Sequence, residues 1–102
     1  MSTSQLIQNI KARMNHEVQK KVLEQKYTSK LIFAHNGGCW KASTTLISFL
    51  VSMQDQETVI VLDEFNNPIR VNVTSLLQIT KDTYVNVMNE WRVELDKLER
   101  MR

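Results

Sequence analysis

The chain is poor in the residues that bend a backbone. Two glycines and one proline in 102 residues are too few for the closely spaced turns of an all-β sandwich or barrel, so long uninterrupted elements are expected. A single cysteine, Cys39, excludes an internal disulfide and a cysteine-rich zinc site, and it fits a reducing compartment. No stretch approaches the ~18 consecutive apolar residues of a membrane span, which excludes a spanning helix. The opening residues Met1-Ser2-Thr3-Ser4-Gln5 lack the basic and apolar regions of a signal peptide, and a cytoplasmic protein is expected, of its own cell or of a host. Without a secretory signal, Asn72-Val73-Thr74 is a chance match to a glycosylation acceptor.

What is present is ordinary for a globular chain: 42% hydrophobic and 24% charged residues, enough for one domain over 1–102 with one modest core. The net charge of +2 is unevenly spread. Residues 1–45 carry seven Lys/Arg against two Asp/Glu (+5), and residues 46–102 carry six against nine (−3). A basic face for nucleic acid, head-to-tail attraction between subunits, or a solvated helix face would each produce this asymmetry, and the solvated face is the commonest cause.

The chain is organised around Thr58–Met101. Thr58-Val59-Ile60-Val61-Leu62-Asp63 is rich in β-branched residues and ends at the turn cluster Glu64-Phe65-Asn66-Asn67-Pro68, which predicts a strand. Ile69, Val71 and Val73 alternate with polar residues, as a half-buried second strand requires. Thr74 is the expected cap of a final helix over about 75–101. That helix carries Leu77, Tyr84, Met88, Trp91, Leu95 and Leu98, a short heptad stripe from Tyr84 onward. The stripe fits either a homo-oligomer through this helix or an antiparallel pair with the first helix, and its shortness favours the pair. The first helix is expected over about 4–25, with Leu6, Ile10, Met14, Val18 and Val22 recurring every four residues before a break at Tyr27-Thr28-Ser29. Between these helices, Asn36-Gly37 predicts a hairpin over about 31–42, and Ser43 or Thr44 caps a compact helix over about 44–53. The second hairpin spans about 58–73. The expected fold class is α+β in the order α-β-β-α-β-β-α, as one four-stranded antiparallel sheet or as two hairpins packed with helices.

Chemistry-bearing residues are sparse. His35 and Cys39 flank the Asn36-Gly37 turn and could face each other, the minimum for an activated thiolate, but no third residue orients the histidine. Gly37-Gly38-Cys39-Trp40-Lys41 has a phosphate loop's residue types without its spacing. Asp63 and Glu64 are adjacent and point to opposite faces of an extended chain, so they form no carboxylate pair; Asp63 is expected to cap the turn after it. His16 has no ligand partner at helical spacing. No catalytic residue, metal or cofactor is expected. The residues expected to meet a protein partner are Trp40 and Lys41 on the hairpin loop, and Tyr84, Met88, Trp91, Leu95 and Leu98 on the final helix wherever the first helix leaves them open. The alternative is a nucleic-acid binder using Lys11, Arg13, Lys20 and Lys21, although that helix lacks interleaved aromatics.

Three segments carry a resemblance. Gly37-Gly38-Cys39-Trp40-Lys41-Ala42, Val59–Asn72 and Tyr84-Val85-Asn86-Val87-Met88-Asn89-Glu90-Trp91 resemble small proteins of T4-like tailed bacteriophages, including those infecting cyanobacteria. The resemblance implies a virus-encoded, non-enzymatic protein, either a virion or assembly component or a small binder of a host or replication protein. It assigns no functional residues.

Overall fold

The computed structural model describes residues 3–100, with side chains described at Thr3 and from Asn15 onward. The element order is the expected one: α1 (Thr3–Lys30), β1 (Ile32–His35), β2 (Gly38–Lys41), α2 (Thr44–Ser52), β3 (Thr58–Leu62), β4 (Pro68–Asn72) and α3 (Val73–Arg100). The four strands form two separate antiparallel ribbons, β1-β2 and β3-β4.

The first ribbon closes on Asn36 (φ +51°) and Gly37 (φ +77°), the two positive-φ residues that a two-residue hairpin turn needs to match the strand twist. Ser43 caps α2, its hydroxyl accepting from the Leu46 amide at 3.1 Å. The start of α3 differs from expectation. Asn72, not Thr74, supplies the cap, its Oδ1 accepting from the Ser75 amide at 2.9 Å. Asparagine is at least as good a cap as threonine, and the Val73 amide is already satisfied by the Glu57 carbonyl at 3.0 Å, so the helix begins directly from the strand.

α1 also runs past its expected end near residue 25, to Lys30. The hydroxyls of Thr28 and Ser29, read in the sequence as helix breakers, instead donate back to the carbonyls of Glu24 and Gln25. Tyr27, which precedes them, is buried, and that burial outweighs the weak helical preference of its neighbours.

One core cluster joins both ribbons, α2 and the first turns of α3: Trp40, Leu50, Val71, Val73, Leu76 and Leu77. A second joins α1 to α3 through Tyr27, Leu31, Ala42 and Val87, with Tyr84, Met88 and Trp91 packed against it. Phe33 touches both clusters. The α1–α3 pair is antiparallel: Tyr27 stacks on Trp91 with ring centroids 6.0 Å apart, Lys26 bonds Glu94 at 3.0 Å and Lys30 bonds Glu90 at 3.2 Å. These pairs put the end of the described α3, Arg100, opposite about residue 20 of α1. The dimensions agree. Two 28-residue helices measure about 42 Å each, and a longest extent of 66 Å leaves an overlap of about 18 Å, about twelve residues. The N-terminal part of α1 therefore projects beyond the described α3.

Candidate interaction surfaces

Asp63 sets the geometry between the two ribbons. Its Oδ1 accepts from the amides of Phe65 (3.0 Å) and Asn67 (2.9 Å), closing the turn of the second hairpin. Its Oδ2 accepts from the amide of Cys39 in the first hairpin at 3.1 Å, and the Glu64 amide returns a bond to the Cys39 carbonyl at 2.8 Å. The amide of Cys39, then those of Asn67 and Phe65, hold the Asp63 carboxyl below its ordinary pKa against the opposing effect of burial. The turn-capping role read from the sequence is thus present, with a cross-hairpin bond the sequence did not disclose.

From this staple the facing edges of β2 and β3 separate, and an open cleft of about 470 Å³ lies between them, lined by Lys41, Leu46, Phe49, Ile60 and Leu62 among others. Three of its apolar lining residues are exposed, Leu62 at 60%, Ile60 at 56% and Phe49 at 38%, and Phe65 in the turn after β3 is exposed at 71%. Ile60 and Leu62 were not singled out in the sequence, because Val59-Ile60-Val61-Leu62 is apolar in both phases of a strand. The usable signal was that same continuity: a two-stranded ribbon with a core on one face must present the other face to solvent. Such a cluster suits recognition by contact area and shape.

The residues expected to meet a partner lie in three settings. Trp40 is a correction. It is 2% exposed, and its indole Nε1 donates to the His35 carbonyl at 2.9 Å, so it fills the core rather than standing out from the loop. Lys41 is half-buried on the wall of the cleft. On α3, Leu98 is buried and Tyr84, Met88, Trp91 and Leu95 are half-buried; Tyr84, Met88 and Trp91 pack into the cluster that joins α3 to α1, the antiparallel pairing the sequence favoured.

Of the basic residues on α1, Lys20 is half-buried and Lys21 exposed; the side chains of Lys11 and Arg13 lie outside the described residues. Val18 and Val22, on the projecting part of α1 and at its edge, are more than half exposed.

His35 and Cys39 do not face each other. The register pairs His35 with Gly38 and Ala34 with Cys39, and alternation along a strand then sends the two side chains to opposite faces of the ribbon. No group of three or more His, Cys, Asp or Glu suited to a metal occurs among the described residues, and no described helix is long and apolar enough to cross a membrane. Comparison with family models, with curated proteins and with solved structures finds no match to this chain.

Proposed function

We propose that the chain is a non-enzymatic protein–protein interaction protein whose contact surface is the apolar rim of the cleft between its hairpins. One observation carries this reading: Ile60 and Leu62 on β3 stand more than half exposed and share the cleft wall with the exposed Phe49 of α2, on elements whose other faces build the core, and Phe65 in the turn after β3 is exposed as well. A folded domain gains nothing in stability from apolar side chains left in water, and contiguous ones mark a contact surface. The resemblance to small proteins of T4-like phages supplies the setting, a virion or assembly component or a small binder of a host or replication protein.

The test is a comparative capture. Tagged wild-type chain and a Phe49→Ser/Leu62→Asp/Phe65→Ser variant are incubated with host lysate, and bound proteins are quantified by mass spectrometry. The expected result is a protein retained by the wild type and lost by the variant, with both chains showing the same circular dichroism. Identical captures would remove this surface from the function.

A further inference from the structure

The free edge of β3 has unpaired backbone as well as exposed side chains. Asp63 donates to the Asn67 carbonyl and Val73 donates to the Glu57 carbonyl, and the register runs from Thr58↔Asn72 to Leu62↔Pro68. The bonds to β4 therefore fall on the odd-numbered residues of this ladder, and the amides and carbonyls of Thr58, Ile60 and Leu62 point away from β4. Among the described backbone hydrogen bonds outside the regular elements, none reaches these three residues. On the other ribbon the Cys39 amide and carbonyl are satisfied by the Asp63–Glu64 staple, which ties the ribbons at one point; beyond it Ile60–Leu62 face the cleft and Thr58 is exposed. Globular proteins protect such edges with a charge, a proline or a covering element. β3 has neither a charge nor a proline within Thr58–Leu62.

We infer that β3 binds its partner by strand addition: an extended apolar segment of another protein pairs with the outward amides and carbonyls of Thr58, Ile60 and Leu62. This rests on the interaction reading above and specifies its mode. Strand addition draws affinity from main-chain hydrogen bonds and specificity from alternate side chains, here Ile60 and Leu62 on the outer face. Charge sets the polarity of the occupant. The entry to β3 carries Asp55 and Glu57, both exposed, whereas at its exit Glu64 shares the cleft wall with Lys41. Arg70, across from Ile60 on β4, is on the far strand. The segment is therefore apolar and β-branched, with a basic residue at the end that lies against Asp55 and Glu57.

The test uses peptides selected on the intact chain from a random twelve-residue display library, followed by hydrogen exchange of the ¹⁵N-labelled chain. Selected peptides are expected to be β-branched with lysine or arginine at one end, to slow exchange of the Thr58, Ile60 and Leu62 amides at least tenfold, and to bind Ile60→Pro at least tenfold more weakly. Proline at an outward edge position removes the donor without breaking the ladder to β4, and the exchange measurement on the wild type stands even where that variant folds poorly. Peptides lost on Leu62→Asp that leave the three amides exchanging at the free rate would overturn strand addition and keep the interaction surface. A selection returning no binder would overturn both.

Discussion

The Asp63 carboxylate and the Cys39 amide, 24 residues apart in sequence and 3.1 Å apart in space, form the hinge pin between the two hairpins. Asp63 is buried, so its oxygens have these amides in place of water, and removing them leaves the amides of Cys39, Phe65 and Asn67 without their acceptor. Asp63→Ala is expected to lower the melting temperature by roughly 5 °C or more, and Asp63→Asn by less, since the amide oxygen still accepts. The pH dependence has a fixed sign. The folded pKa of Asp63 lies below the ordinary carboxylate value, so its contribution is complete above about pH 4 and is lost as pH falls through the folded pKa. Thermal melts from pH 6 to pH 2 should show wild type and Asp63→Asn converging at the acid end; a constant gap would mean that the carboxylate charge is not what holds the hinge.

Trp40 and Gly38 make a second, independent prediction. A Cβ on Gly38 would stand 2.9 Å from the Trp40 indole, which lies over that glycine and reaches the His35 carbonyl. Gly38→Ala should cost about 1–3 kcal/mol by forcing the ring aside. Trp40→Ala should cost about 3–5 kcal/mol through the cavity it leaves, and Trp40→Phe about 1–2 kcal/mol through the lost hydrogen bond. Denaturant titration gives all three. Equal losses for Trp40→Phe and Trp40→Ala would show that the hydrogen bond, rather than the ring's volume, dominates.

The order of elements was legible because each signal was local. Asn36-Gly37 admits the required positive φ, Ser43 precedes a compact apolar run, and Ile69, Val71 and Val73 alternate with polar neighbours. What was not legible depended on contacts far along the chain. Tyr27-Thr28-Ser29 reads as a break until Trp91 supplies a ring to stack against. Trp40 reads either as a loop contact for a partner or as a cover for the core until the core forms around it, and no local pattern joins Asp63 to Cys39. The exposed face of β3 was hidden for a different reason: an apolar run in both phases states that a strand exists but not which side it buries.

The ion pairs between α1 and α3 give a prediction about register. Lys26–Glu94 and Lys30–Glu90 are solvent-exposed, and Glu94 has its carboxyl held below the usual range chiefly by the Lys26 ammonium. Exposed pairs contribute little to stability and are screened by salt. Lys26→Glu should therefore lower the melting temperature by only a few degrees at low salt, Lys26→Glu/Glu94→Lys should recover most of that loss, and both differences should shrink by 0.5 M salt. A double variant no better than the single one would argue against the antiparallel register at this point.

Tyr27 decides whether the α3 stripe is an internal contact or a docking face. In the folded chain its ring covers Trp91, and the ammonium groups of Lys26 and Lys30 lie 5.1 and 4.9 Å from the ring centroid. Tyr27→Ala removes the contact on which the second core cluster is built while leaving the ribbons and α2 in the first cluster intact. Trp91 emission should shift to longer wavelength, and exchange of α1 amides should speed up while that of Leu76 and Leu77 does not, because cooperative units open separately when few contacts join them. The freed stripe of Tyr84, Met88, Trp91 and Leu95 is then a continuous apolar face on a long helix, and self-association should appear in sedimentation across a concentration series where the wild type shows less of it. If the variant sediments as the wild type does and Trp91 keeps its emission, then α1 is held to α3 by contacts other than this ring pair.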